Sequence, residues 1–341
     1  MNFAEFRPWF DQRFSLLLTQ KIQTFSAYSA SVDVHTIASY AHELGVGGKR
    51  FRPYLVAFAS KLSYDELERH ATLLYAVELL HLFALIHDDI MDVAQTRHGV
   101  ECAQTVFGKK YGEHTGNAVA ILLDDIVFAW AYECLLEYGG LFPALQPAIT
   151  KEFTRLVREV THGQLLDVLS PVQAPLTHED IVQKMILKTA RYSFVQPLRL
   201  GATIAGTCQE LDAFIEQFGV AVGVGFQLQD DLLDVTATEQ SGKSAFVDIE
   251  TGQQTSISWY MRTRADEAYR EKFNTLFGNK LSTEDRATLA HMLTESGAIT
   301  YTQGLIRDYF KTATDALAHY ISTDERAPWE NLMALILERK K

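Results

Sequence analysis

Twice in this chain an apolar helical run closes on the pattern Asp-Asp-x-x-Asp, at Asp88-Asp89-Ile90-Met91-Asp92 and at Asp230-Asp231-Leu232-Leu233-Asp234. The first run, Ala71 to Met91, contains neither Pro nor Gly, and its apolar density predicts a long, mostly buried helix. On such a helix Asp88 and Asp92 share a face one turn apart, with Asp89 beside them. Like charges at that spacing repel, and Asp is rarely buried unpaired, so something positive belongs there. One trio alone reads equally well as a solvated acidic helix end. Its recurrence on a second apolar helix favours two acidic faces that meet across a cavity and hold hard divalent cations. All-carboxylate sites with room for water suit Mg²⁺, and that combination usually implies a phosphorylated ligand.

The remaining pattern is helical throughout. Periodic stretches from about Phe3 to Phe25, Val32 to Leu44, Asn117 to Tyr138, Pro143 to Leu169 and Leu211 to Val235 each predict a helix, and no strand alternation stands out. Thr177 with Asp180 resembles a capping box opening the helix that carries Lys188-Thr189-Ala190. The expected fold is all-α, a helical bundle around a deep central cavity. With 341 residues, 47% of them hydrophobic, the chain can bury a large core. No run rich in Pro, Gly or Ser divides it, so residues 1–341 are expected to form a single domain.

Composition also excludes partners. A formal net charge of −12 argues against nucleic acid or an anionic membrane surface. Cys102, Cys134 and Cys208 fit neither a disulfide framework nor a zinc site, which points to a reducing, cytoplasmic setting. The opening MNFAEFRPWFDQRF lacks an apolar signal core, and Glu78, His81, Asp124 or Asp125 interrupt the other apolar runs, so neither an export signal nor a membrane span is expected.

Cations for an anionic ligand are present. Gly45-Val46-Gly47-Gly48 breaks the helical pattern before Lys49-Arg50-Phe51-Arg52-Pro53. A Gly-rich bend, the free amides of a helix start and three cations make a candidate phosphate site, although alone they also fit a solvated basic loop. Arg97, in the turn Thr96-Arg97-His98-Gly99, is placed either to pair with the first trio or to hold a phosphate. Gly163-Gln164, Asp167, Lys188-Thr189, Gly242-Lys243, Asp248 and Gly252 complete the polar punctuation.

GGKRFRP, HLFALIHDDIMD followed by an Arg, GQ, KTA, FQLQDDLLD and GK occur here in that order. In order and spacing they closely resemble the trans-isoprenyl diphosphate synthases, among them the farnesyl and geranylgeranyl diphosphate synthases, from about Gly47 to Thr255. The resemblance implies an enzyme that joins isopentenyl diphosphate head-to-tail to an allylic prenyl diphosphate. It makes Asp88, Asp92, Asp230 and Asp234 Mg²⁺ ligands, with Asp89 and Asp231 beside them. It places Arg97, Lys188, Gln227 and Lys243 on the allylic diphosphate, with Thr189 near the reacting carbons. Gly48, Lys49, Arg52 and His81, with His98 and Phe226, match substrate-binding positions. Phe83 and Ala84, below the first trio, match positions that limit chain length. Phe83 would lie about 7.5 Å beneath Asp88 by helical rise, and a bulky residue there implies a product of fifteen to twenty carbons. Ordinary core packing is the other reading of Phe83. A homodimer is also implied.

Three departures stand out. His98 occupies the place of a second arginine, Glu101 that of a proline, and Gly252-Gln253-Gln254-Thr255 replaces Gly-Lys-x-Thr. Each change removes or weakens a cation near a diphosphate, so weaker or more pH-sensitive binding of isopentenyl diphosphate is expected, because histidine titrates near neutrality. A terpene cyclase on the same fold, or a non-catalytic subunit that modulates a partner synthase, would share these motifs. GGKRFRP argues against the first and the retention of both trios against the second.

Overall fold

The computed structural model describes residues 2–97, 99–236 and 245–337. Helices follow in the order α1 (Phe3–Ser26), α2 (Val32–Gly45), α3 (Phe51–Ser60), α4 (Tyr64–Glu68) and α5 (Ala71–Met91). A ribbon of β1 (Thr96–Arg97) and β2 (Val100–Glu101) precedes α6 (Ala103–Tyr111), α7 (Glu113–Leu141), α8 (Gln146–Leu169) and α9 (His178–Met185). A π-helix at Ile186–Val195 leads into α10 (Gln196–Ile204) and α11 (Cys208–Thr236). The chain then forms α12 (Val247–Thr251), α13 (Ser256–Thr263), α14 (Glu267–Leu276), α15 (Thr283–Glu295), α16 (Ala298–Tyr320) and α17 (Arg326–Leu337). The all-α expectation holds. The chain divides into two compact units, Met1–Thr154 with Pro197–Cys208, and Arg155–Gln196 with Gln209–Lys341.

In the first unit, Phe6, Phe10, Phe14, Leu18 and Ile22 recur every fourth residue along α1 and are all buried. Phe10 and Phe14 both pack on Tyr75 of α5, at ring separations of 5.8 and 6.2 Å. Helix α5 is buried around most of its circumference, with Leu73, Leu74, Val77, Leu79, Leu80 and Leu82 all inside, and it packs on α3 and α7. Among the described helices it alone is long and apolar enough to cross a bilayer, and it is the core of this unit. Dense apolar packing all round α5 fixes where its aspartate end emerges. The β1–β2 ribbon is a feature that alternation did not signal: Thr96 pairs with Glu101 and Arg97 with Val100, closed by Gly99 at φ 84°. Two residues per strand are too few to show a period.

In the second unit, the capping box expected at Thr177 and Asp180 forms: the Thr177 hydroxyl accepts from the Asp180 amide and the Asp180 carboxylate accepts from the Thr177 amide. The helix after it is not an ordinary α-helix, because ten residues from Ile186 wind as a π-helix. Glycines press on it from two sides. A Cβ on Gly163 of α8 would lie 2.3 Å from the Lys188 amide nitrogen, and one on Gly223 of α11 2.3 Å from Ala190 Cα. Below it, Met185, Ala190, Val224 and Leu228 form one cluster. Met261, Phe273, Leu289 and Leu293 centre another, between α13, α14 and α15. Such wide turns are uncommon and concentrate at functional sites.

Candidate active site

In the first unit the trio separates by role. Asp89 is buried, whereas Asp88 is half-buried and Asp92, at the end of α5, is exposed. Arg97 on β1 donates from Nε to Asp89 Oδ1 at 2.7 Å and from Nη2 to Asp88 Oδ2 at 2.9 Å. Burial pushes the Asp89 carboxyl up, and Arg97 draws it back. The Cys102 thiol also bonds to Asp89, and burial pushes that thiol up to about 12. Gln104 Nε2 donates to the carbonyls of Asp89 at 2.8 Å and Ala94 at 2.7 Å, tying down the exit from α5. Asp89 is therefore held from three sides, while Asp88 and Asp92 offer the open face. Of the two placements expected for Arg97, pairing with the trio is the one present in this structure.

The basic stretch separates similarly. Arg50 is not a third phosphate cation. It sits in the left-handed region at φ 55°, is 5% exposed, and turns inward. Its Nε donates to Asp11 Oδ1 and its Nη1 to Glu78 Oε1, both at 2.6 Å, and its Nη2 to the Gly45 carbonyl at 2.5 Å. Gly48 explains its own side-chain-free position, since a Cβ there would stand 2.5 Å from Arg50 Nη1. Lys49 is exposed and Arg52 half-buried. His81 is half-buried on α5, seven residues and so about 10.5 Å before Asp88. Phe83, one helical turn before His87, packs on its ring at 4.7 Å and on Phe128 of α7 at 4.8 Å, with Ala84 half-buried beside it. His87 in turn pairs through Nδ1 with Asp124, which is fully buried.

In the second unit Thr189 Oγ1 donates to Gln227 Oε1 at 2.6 Å, and Gln227 Nε2 donates to Asp231 Oδ1 at 2.9 Å. The other Asp231 oxygen is buried without a hydrogen-bond partner. Burial pushes this carboxyl up to about 7, with Asp230 and Asp167 adding repulsion. Asp234 accepts the Val247 and Asp248 amides at 3.0 and 3.2 Å, so it caps α12. Asp248 faces the same group and is pushed well above the ordinary carboxylate range by burial and by Asp231, Asp234 and Asp167. Asp230 and Phe226 are half-buried, the latter edge-on to Phe194 at 5.5 Å. Lys188 pairs with Asp167, whose other oxygen lies 3.0 Å from Lys184 Nζ. His98, Gly242 and Lys243 lie outside the described residues.

Sequence reasoning noted Asp167 and Asp248 without a role and passed over Lys184. The signal for Lys184 was its place four residues before Lys188, one turn away; its carboxylate partner is distant in sequence and carried none.

Do these groups suit a divalent cation? Among the described residues no three His, Cys, Asp or Glu side chains converge as a ready-made metal cage. Mg²⁺ seldom requires one, since it binds through one or two carboxylates together with water and substrate phosphates. The donors are all carboxylate oxygens. The orphaned Asp231 oxygen and the mutual repulsion of Asp231, Asp234 and Asp248 are what an added cation relieves. The residues present fit the ion.

Comparison with known proteins agrees. The family model described as polyprenyl synthetase matches residues 34–294. The geranylgeranyl diphosphate synthase of Sulfolobus acidocaldarius is 28% identical over 332 residues, covering 96% of this chain and 97% of that protein. The geranylfarnesyl diphosphate synthase of Aeropyrum pernix is 28% identical over 303 residues, covering 87% and 91%. A crystal structure of the Corynebacterium glutamicum geranylgeranyl pyrophosphate synthase, complexed with isoprenyl diphosphate and magnesium, superposes with a TM-score of 0.87 at 26% identity, covering 97% of this chain and 99% of that one. The matched region takes in both aspartate motifs, GGKRFRP and the Lys188-Thr189 turn, and the chain belongs to the polyprenyl synthetase family of trans-prenyl diphosphate synthases.

Proposed function

We propose that this chain condenses isopentenyl diphosphate head-to-tail with an allylic prenyl diphosphate, as a Mg²⁺-dependent short-chain synthase whose product has fifteen to twenty carbons. The observation that carries this reading is the division of labour within each aspartate motif. One carboxylate in each, Asp89 and Asp231, is buried, while Asp88, Asp92 and Asp230 stay accessible. The two units act as one catalytic domain, as a family match that runs through both supports.

Mg²⁺ bound through Asp88 and Asp92 of the first motif and through Asp230 and Asp234 of the second would neutralise the leaving diphosphate and so favour ionisation of the allylic carbon–oxygen bond. The chain's own groups do the rest. Arg97, Lys188 and Lys243 bind and orient the allylic diphosphate. Lys49, Arg52 and His81 hold isopentenyl diphosphate, with His98 in place of a further arginine. Gln227 is fixed between Thr189 and Asp231, and its amide dipole is fixed with it. The enzyme works in the reducing cytosol, consistent with three cysteines that are all free thiols.

The test is incubation of the purified chain with Mg²⁺, labelled isopentenyl diphosphate and each short allylic diphosphate in parallel, followed by chromatography of the dephosphorylated products. Labelled alcohols of fifteen or twenty carbons are expected. Hydrocarbons from the allylic substrate alone would indicate a cyclase instead, and no turnover without a partner protein a modulating subunit.

Product length turns on Phe83. Its ring is wedged between His87 and Phe128, so it makes a firm floor beneath Asp88 rather than a mobile one. Phe83→Ala should shift the product to longer alcohols in the same assay. An unchanged distribution would place the floor elsewhere.

Homodimerisation completes the reading. Helix α7 leaves an apolar stripe outward, with Leu122 at 60% and Leu136 at 57% exposure and Ile121 and Tyr132 alongside. A helix face of this kind fits a second copy of itself. Sedimentation equilibrium should give twice the chain mass for the parent and a single chain mass for Leu122→Glu/Leu136→Glu. A monomeric parent would end the proposal.

A further inference from the structure

Two lysines one helical turn apart share a single buried carboxylate. Asp167 of α8 receives Lys184 Nζ on Oδ1 at 3.0 Å and Lys188 Nζ on Oδ2. The lysines are not equivalent. The Lys184 side chain is 9% exposed and the Lys188 side chain 28%. Lys184 is held further by the Gln254 carbonyl at 3.1 Å and Ser170 Oγ at 3.5 Å. Gln254 is itself fixed, with its amide side chain donating to the Ser170 carbonyl at 2.7 Å and accepting the Leu176 amide at 2.8 Å. Lys184 therefore has a rigid polar socket on the inner side of Asp167, while Lys188 approaches from the more open side.

We propose that Lys184 is a resident counter-ion that keeps Asp167 paired when Lys188 leaves it for the diphosphate of the allylic substrate, which makes Lys184 a positioning residue for substrate binding. This rests on the reading of Lys188 as a diphosphate ligand. Withdrawing the sole partner of a buried carboxylate is strongly unfavourable, whereas a carboxylate with a second cation on its other oxygen tolerates the exchange. Gly163 adds a constraint: the α8 backbone lies so close that an added Cβ would stand 2.3 Å from the Lys188 amide nitrogen, so the Lys188 backbone cannot move toward α8.

The experiment is steady-state kinetics of the full chain with the allylic diphosphate varied, at saturating isopentenyl diphosphate and Mg²⁺. Lys184→Gln keeps hydrogen-bond donors for the Gln254 carbonyl but removes the charge. If Lys188 is then held on Asp167 about nine-tenths of the time, the apparent affinity for the allylic diphosphate falls about tenfold. KM should rise by that factor with kcat changing far less, and adding Asp167→Asn should restore KM to about the parental value. A purely structural defect would lower the urea unfolding midpoint and kcat together, whereas the exchange predicted here moves KM with kcat nearly unchanged. An unchanged KM in Lys184→Gln, or no restoration in the double variant, overturns the proposal. Should Lys184→Gln fail to fold, Asp167→Asn and Lys184→Gln/Asp167→Asn must share one KM, because the Lys184 charge would act only through Asp167; unequal values overturn it. Lys188→Gln separates the two levels of inference. An unchanged KM there removes the reading of Lys188 itself, whereas a raised KM beside a normal Lys184→Gln removes only the counter-ion role.

Discussion

Asp88→Asn should reduce turnover by on the order of a thousandfold while leaving the fold intact. Asp88 combines accessibility with a defined orientation: its Oδ2 receives Arg97 at 2.9 Å, and its side chain remains 21% exposed. A metal-held charge that stabilises a departing diphosphate contributes several kcal/mol, and about 4 kcal/mol corresponds to on the order of 10³ in rate. Asn keeps the shape and one oxygen but not the charge, so the loss should appear at every Mg²⁺ concentration that can be reached. The fold should not suffer, because Arg97 retains its bond to Asp89. Initial rates across a Mg²⁺ titration, with circular dichroism on the same samples, decide the matter. A loss of less than about tenfold at saturating Mg²⁺ would remove Asp88 from the metal site. Asp89→Asn makes the contrast: that carboxylate is buried against Arg97 and Cys102, so its variant should lose stability as well as rate.

The helices that carry the chemistry were legible because each expresses a local rule. The four-residue spacing of Phe6, Phe10, Phe14 and Leu18 gives α1, and the unbroken apolar run gives α5. The Thr177–Asp180 box gives the start of α9. What was not legible depends on partners remote in the chain. Lys49, Arg50 and Arg52 look alike in sequence, and only the placement of Asp11 and Glu78 singles out Arg50 as the inward one. Asp231 and Asp234 look like interchangeable ligands, yet one is buried beside Gln227 and the other caps α12. The π-helix has no composition of its own. It arises where Gly163 and Gly223 allow two helices to press on residues 186–195.

Arg50 also gives the largest expected effect on stability. Glu78 is 3% exposed on the central helix α5, where its Oε1 accepts from Arg50 Nη1 at 2.6 Å and its other oxygen is buried without a hydrogen bond. Arg50→Met would leave that carboxylate uncompensated and release Asp11 and the Gly45 carbonyl as well. Breaking a buried pair from one side typically costs about 3–5 kcal/mol, against a total stability of roughly 5–15 kcal/mol. Lysine is no substitute, because one ammonium on a flexible stem cannot reproduce three bonds made by a planar fork. Glu78→Gln should cost less than Arg50→Met, since the amide still accepts from Arg50 and Asp11 still balances its charge. Arg50→Met/Glu78→Met should be more stable than Arg50→Met alone, because it removes the stranded charge and returns apolar volume to a site lined by Phe10 and Phe14. Urea unfolding midpoints of the parent and the three variants test this ordering. If Arg50→Met unfolds at the parental midpoint, the pair does not hold the basic turn against α5, and the orientation of Lys49 and Arg52 must come from elsewhere.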